Sequence, residues 1–218
     1  MINQGFGANP AYYAKFLDSQ GKPEKGHMGV DYMAIHATPL YAPCDGMAFY
    51  EFDSHGGDGI YIRTQDTFDY GNGQAYFTII LWHLCGKDDP QFKPIIPCDG
   101  KGYLVKTGAL IGYTDNTGAP FESSGDHLHF GLYPSSDKGG QVQIELGNGF
   151  DGCIDPTPYF TNYFAQDINK IQAIQGQEVT ATEQVVQLIA EDPGTIPVAQ
   201  KIGLLQTILN FLKGLINQ

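Results

Sequence analysis

Apolar and polar positions alternate over short stretches through the first two thirds of the chain, and clusters of glycine, proline and aspartate separate the stretches. Strand signals fall at 30–34, 47–52, 59–63, 75–84, 110–113 and 127–133. Six strands with no long amphipathic helix between them predict a mainly β domain, an antiparallel sandwich or barrel-like sheet. Residues 1–26 read as a loop-rich lead-in. Asn9 suits a helix cap and Pro10 a first helical position there, so a short helix is expected to open at that point. Tyr12 and Tyr13 follow, placed either to pack in a core or to line a groove.

The pattern changes near residue 165, where aromatics thin out and glutamine rises. Thr180-Ala181-Thr182-Glu183 is a capping box that opens a helix, and Asp192-Pro193-Gly194 stops it. From Pro197 a second helix is predicted. Val198, Ile202, Leu205, Leu209, Leu212 and Ile216 recur at alternating four and three, beside a second seam of Leu204, Ile208, Phe211 and Leu215. The expected organisation is therefore a β domain over 1–164 and a small C-terminal helical appendage over 165–218. So broad an apolar face along 197–216 must bury itself on the β domain, on a second copy or on another protein.

Candidate chemistry centres on Gly125-Asp126-His127-Leu128-His129-Phe130-Gly131. Successive side chains on a strand point to opposite faces, so His127 and His129 share one face while Leu128 and Phe130 share the other. The alternative is a solvated strand face carrying two histidines. A second stretch, His27-Met28-Gly29-Val30-Asp31, alternates in the same way, with the bare Gly29 leaving room between His27 and Asp31. His27, Asp31 and His129 together make a three-ligand set for Zn2+, one ion per chain. Three protein ligands leave a fourth tetrahedral position open, as in catalytic rather than structural zinc sites. His83 ends the apolar run 76–82, an unusual place for an imidazole without a task.

His27-x-x-x-Asp31, His83 at a strand end and His127-x-His129 resemble the lysostaphin-like (LytM-type) zinc endopeptidases that cut peptidoglycan. Thr38-Pro39-Leu40-Tyr41-Ala42-Pro43, Asp45-Gly46, Gly59-Ile60-Tyr61-Ile62, Gly108 to Gly112, Thr117-Gly118 and Asp155-Pro156 follow the same order, so the resemblance covers roughly 1–160. It implies an antiparallel sheet whose groove holds the zinc. It also implies that His83 and His127 flank the metal without ligating it and share the acid–base work. The expected activity is hydrolysis of peptide bonds in the stem or cross-bridge peptides of peptidoglycan, at the cell wall outside the cytoplasm or in the periplasm. A non-catalytic virion structural or wall-binding component retaining the zinc site is the alternative, and the presence of all five residues argues against it.

The formal net charge of −12 opposes binding to nucleic acid and simple attraction to an anionic wall. No opening segment has the basic-then-apolar pattern of a secretory signal, and no apolar run is long enough to span a membrane. A wall-cutting enzyme without a visible signal fits a phage-encoded endolysin or a lysin carried on the virion. In that setting a phage structural protein is a further partner for 197–216.

The insertion at 86–102 and the segment 119–124 are candidates for groove walls that select substrate, with lineage-specific decoration as the plainer reading. Cys85 and Cys98 flank the 86–97 part of the insertion, and a bridge between them, with Cys44 and Cys153 remaining, would stabilise by roughly 3 kcal/mol. Four reduced thiols are the alternative. Cys85 is two residues past His83 and could share its face, but with the ligand set already full it is not counted as a zinc ligand. Asp126 is expected to point away from His127 while its charge raises a neighbouring imidazole. His36 and His55 fall in turns away from every motif and are expected at the surface.

Overall fold

The computed structural model describes residues 2–120 and 122–160, all within one compact unit, Met1–Thr161. The helices expected over 165–218, including the apolar face at 197–216, lie outside the described residues. In chain order the elements are β1 (Ile2–Gln4), α1 (Pro10–Tyr13), β2 (Gly29–Met33), β3 (Pro39–Tyr41), β4 (Gly46–Asp53) and β5 (Gly57–Thr64). They continue with β6 (Phe68–Asp69), β7 (Gln74–Trp82), β8 (Gly102–Val105), β9 (Leu110–Tyr113) and β10 (His127–Ser135). The antiparallel β architecture expected from the alternation is borne out, and each of the six anticipated stretches carries a strand. Pro10 does open the short helix, but Asn9 makes no side-chain cap and sits instead at φ 54.

The main sheet runs β1-β2-β10-β7-β5-β4-β8, with β6 beside β7, while β3 and β9 pair separately. Every pairing is antiparallel. The period of two divides the sheet into a dry face and a working face. On the dry face Val30, Phe130, Leu132, Ile79, Leu81, Ile60, Ile62 and Ala48 are almost wholly excluded from solvent. Leu40 and Ile111, from the β3–β9 pair, are also buried. A helical turn at 157–160 adds Phe160 against Phe130 and Tyr159 against Phe77, at ring separations of 5.1 Å each. Asp155 holds the start of that turn by accepting from the Thr157 amide at 2.9 Å.

On the working face β10 sits between β2 and β7. The register sets His129 opposite Asp31 on one side and opposite Trp82 on the other. Trp82 in turn lies opposite Gly59 of β5. A methyl group added at Gly59 would come within 1.8 Å of Trp82 Cε3, so the indole lies flat over a position that only glycine leaves open. This fixes the last residue of β7 before His83. Gly59→Ala is therefore expected to destabilise the domain by about 1–3 kcal/mol through overpacking. Chemical denaturation of the variant beside the parent checks this; an unchanged midpoint would mean that the indole moves freely.

Candidate metal centre and its flanking histidines

His27, Asp31 and His129 meet at one point. His27 Nε2 lies 3.0 Å from His129 Nδ1, His129 Nδ1 lies 3.1 Å from Asp31 Oδ1, and His27 Nε2 lies 3.2 Å from Asp31 Oδ1. These three distances form a nearly equilateral triangle. Tetrahedral bonds of about 2.0–2.1 Å to zinc put neighbouring donor atoms about 3.3 Å apart, so the triangle has the size that ion requires. Hydrogen bonding alone accounts for it poorly. His27 Nδ1 faces the Gly5 carbonyl at 3.3 Å, which places that ring's proton on Nδ1 and a lone pair on Nε2. One proton on His129 Nδ1 cannot satisfy His27 Nε2 and the Asp31 carboxylate while those two acceptors also face each other. A cation at the centre resolves the conflict, and two imidazoles with one carboxylate suit zinc.

The local sequence explains the convergence. Asp31 projects from β2 and His129 from the facing position of β10. His27 precedes β2 and is held by the lead-in: its amide donates to the Ala8 carbonyl at 3.0 Å, and its carbonyl accepts from the Gly7 amide at 2.9 Å. Gly29 leaves room, as expected, but the occupant is the His129 ring. A Cβ at Gly29 would stand 2.7 Å from His129 Cε1 and 2.8 Å from its Nε2. His27 and Asp31 are both buried. Burial raises the Asp31 carboxyl, yet hydrogen bonds from His129 and His27 outweigh it and hold the group well below the usual carboxylate range.

His83 and His127 stand beside this triangle, their rings 4.5 Å apart. His83 Nδ1 donates to the Thr117 carbonyl at 2.7 Å and His127 Nδ1 donates to the Gly125 carbonyl at 2.7 Å. Both rings therefore keep an Nε2 lone pair when neutral. His127 Nε2 lies 3.7 Å from Asp31 Oδ1. His83 is buried, and burial drives its imidazole down to about 4; the Thr117 carbonyl opposes that shift and His127 adds to it. The ring is neutral at ordinary pH. His83 also has φ 63, a conformation costly for a residue with a β-carbon, and this is where β7 ends.

Several groups of this site had no clear mark in the sequence. The carbonyls of Gly5, Thr117 and Gly125 set three tautomers, and a backbone oxygen leaves no residue-type signature. Of the two lead-in tyrosines, Tyr12 is exposed while the Tyr13 ring sits 5.7 Å from that of His27. Tyr13 Oη accepts from Gln4 Nε2 at 3.0 Å, and burial pushes its phenol up to about 12. Asp126 differs from expectation. Its carboxylate accepts from the His36 amide at 3.0 Å, and the imidazole it helps to raise is that of His36, mainly through Asp89 and only to a lesser degree through Asp126. The disulfides are also absent: all four thiols are free. Cys85 is buried and Cys98 exposed, so the two do not share an environment. His36 is exposed, but it pairs with Asp89 rather than standing apart.

An antiparallel β domain with a His-Asp-His cluster is the arrangement that the motif resemblance leads one to expect, and the chain is similar to the following proteins. No family model matches the chain. A curated relative described as an uncharacterized metalloprotease from Haemophilus influenzae is 32% identical over 104 residues, spanning 48% of this chain and 18% of that protein. The chain thus matches less than a fifth of that relative's length. Among solved structures, the catalytic domain of lysostaphin from Staphylococcus simulans is 21% identical with a TM-score of 0.46, covering 74% of this chain and 92% of that one. A zinc-containing peptidase from Vibrio cholerae is 23% identical with a TM-score of 0.43, covering 66% and 35% of the two chains.

The ligand assignment makes a direct prediction. His129→Ala and Asp31→Ala abolish zinc binding at this centre, whereas His83→Ala leaves it in place. Calorimetric titration with zinc separates the two outcomes, and loss of the ion in His83→Ala would overturn the assignment.

Proposed function

We propose that the chain is a zinc-dependent endopeptidase that hydrolyses peptide bonds in the stem or cross-bridge peptides of bacterial peptidoglycan. The observation that carries this reading is the closed triangle of His27, Asp31 and His129 with two further imidazoles beside it, each tautomer set by a carbonyl. The motif resemblance over roughly 1–160 supplies the substrate class, and the similarity to a metalloprotease supports the reaction class. Zinc held by the three ligands supplies a Lewis acid for the scissile carbonyl and a bound water acidic enough to react near neutral pH.

The chain's own residues do the rest. His83 and His127 manage the protons jointly: an Nε2 lone pair accepts the proton of the attacking water, and the Nε2–H so formed donates to the departing amine. Neither ring presents a proton at Nε2 until it has accepted one, which gives the transfer its direction. The Asp31 carboxylate stands 3.7 Å from His127 Nε2, on the metal side of that ring. Tyr13 beside His27 borders the centre with a flat face suited to peptide.

The chain acts at the cell wall, as a phage endolysin or a lysin carried on the virion, and its 197–216 segment joins it to a second copy or to a phage structural protein. The −12 net charge leaves something other than simple electrostatics to bring the enzyme to the wall.

Purified protein loaded with zinc is expected to release new amino termini from purified peptidoglycan, and a chelator to stop the release. Mass spectrometry of the fragments identifies the bond. His83→Ala should lower turnover by about 10²–10⁴-fold while the zinc stays bound. Intact walls that respond to neither zinc nor chelator contradict the reading in favour of a wall-binding virion component.

A further inference from the structure

A second group of donor atoms lies apart from the first. His36, Cys85, Asp89 and Asp115 each direct one ligand atom to a common region, with all four atoms within 4.8 Å of one another. His36 Nε2 lies 3.1 Å from Asp89 Oδ2 and 3.9 Å from Asp115 Oδ1. The four come from four separate segments: the turn after β2, the chain just past β7, the insertion at 86–102, and the chain just past β9. Backbone pairing gathers them: the Cys85 amide donates to the Tyr113 carbonyl at 2.9 Å, the Ala37 amide to the Thr114 carbonyl at 2.7 Å, and the Asp89 amide closes a turn on Gly86 at 3.1 Å.

The surroundings are those of a built site rather than a solvated acidic patch. Cys85 is 3% exposed, and the Asp89 side chain is 7% exposed despite its place in a surface insertion. Asp89 Oδ1 accepts from the amides of Gln91 and Phe92 at 2.8 and 2.6 Å, which leaves Oδ2 turned towards His36. The Phe92 ring packs 5.8 Å from that of His36 and 5.0 Å from that of Tyr113. Among the described residues no lysine or arginine pairs with either carboxylate, and His36 alone faces both. Two carboxylates and a buried thiol around a single imidazole leave a deficit of positive charge. Water screens that deficit least at Cys85 and Asp89, the two shielded donors.

We propose that His36 Nε2, Cys85 Sγ, Asp89 Oδ2 and Asp115 Oδ1 form a second zinc site, closed by four protein ligands and structural in role. A thiolate with an imidazole selects zinc over magnesium or calcium, and two carboxylate oxygens complete a tetrahedron. Donors around zinc sit about 3.3–3.7 Å apart, so binding draws the group inwards by roughly 1 Å at its widest. With no open position, the site does not hydrolyse anything. It fastens the insertion to the sheet at a telling place. The Asp115 amide donates to the His83 carbonyl at 2.8 Å, and the Asp115 carbonyl accepts from the His127 amide at 3.3 Å. The Asp126 carboxylate, one residue before His127, holds the His36 amide. The ion would therefore brace the backbone on both sides of the flanking histidine pair.

Metal content and cobalt spectroscopy of the full chain test this, and neither requires the peptidase reading to hold. Wild-type protein should retain two zinc ions per chain, and His129→Ala one. Cys85→Ser should also retain one, with Asp89→Asn as a second variant should the serine protein misfold. Cobalt in place of zinc should give a thiolate charge-transfer band that survives in His129→Ala and vanishes in Cys85→Ser, because the first centre contains no sulfur. A zinc content that Cys85→Ser leaves unchanged, or cobalt-loaded protein without that band, overturns the proposal.

Discussion

Asp31 and His129 face each other across the β2–β10 pair, and this register is the constraint on which the site depends. A slip of one residue in either strand would turn every side chain to the other face. It would bury Asp31 and His129 among Val30, Phe130 and Leu132 and expose the core in their place. The register is held because Val30 and Phe130, themselves cross-strand partners, are both fully buried. Burying such side chains stabilises by roughly 1.5–3 kcal/mol each, so the hydrophobic face enforces the position of the polar one. The ligand geometry is thus a by-product of core packing on the reverse side of the same sheet.

Much of this was legible in the chain. Alternation located six of the strands because each has one dry face, and it put His127 and His129 on a common face; His27 reaches Asp31 from outside β2, held there by the lead-in. The short β1, β3, β6 and β8 carried too few apolar positions to stand out, and they exist through pairing with longer neighbours. The end of β7 was placed at residue 84, two residues late, because His83 adopts a left-handed backbone that residue type does not announce. What stayed hidden has one cause. Contacts made by backbone carbonyls, and clusters assembled from distant turns, leave no local pattern. His36 therefore looked like an isolated surface histidine although it lies against Asp89.

On the proposed reading the two clusters divide the labour of a metal enzyme between chemistry and support. In that reading the first keeps a position open, with His83 and His127 beside it, each holding its Nδ1 against a backbone carbonyl. The second gathers four donors from four segments and touches the first only through backbone bonds to His83 and His127. Precision in such a site comes from what holds the supporting backbone, and a loop insertion next to the working residues would otherwise be its loosest part. In the proposed arrangement the insertion at 86–102 becomes a brace.

The most direct test is anomalous diffraction at the zinc edge from crystals grown with zinc. The account predicts a peak bonded to His27 Nε2, Asp31 Oδ1 and His129 Nδ1, at about 2.0–2.2 Å from each, with His83 and His127 beyond bonding reach. A peak that takes His83 or His127 in place of one of those three, or no peak at that point, would contradict it.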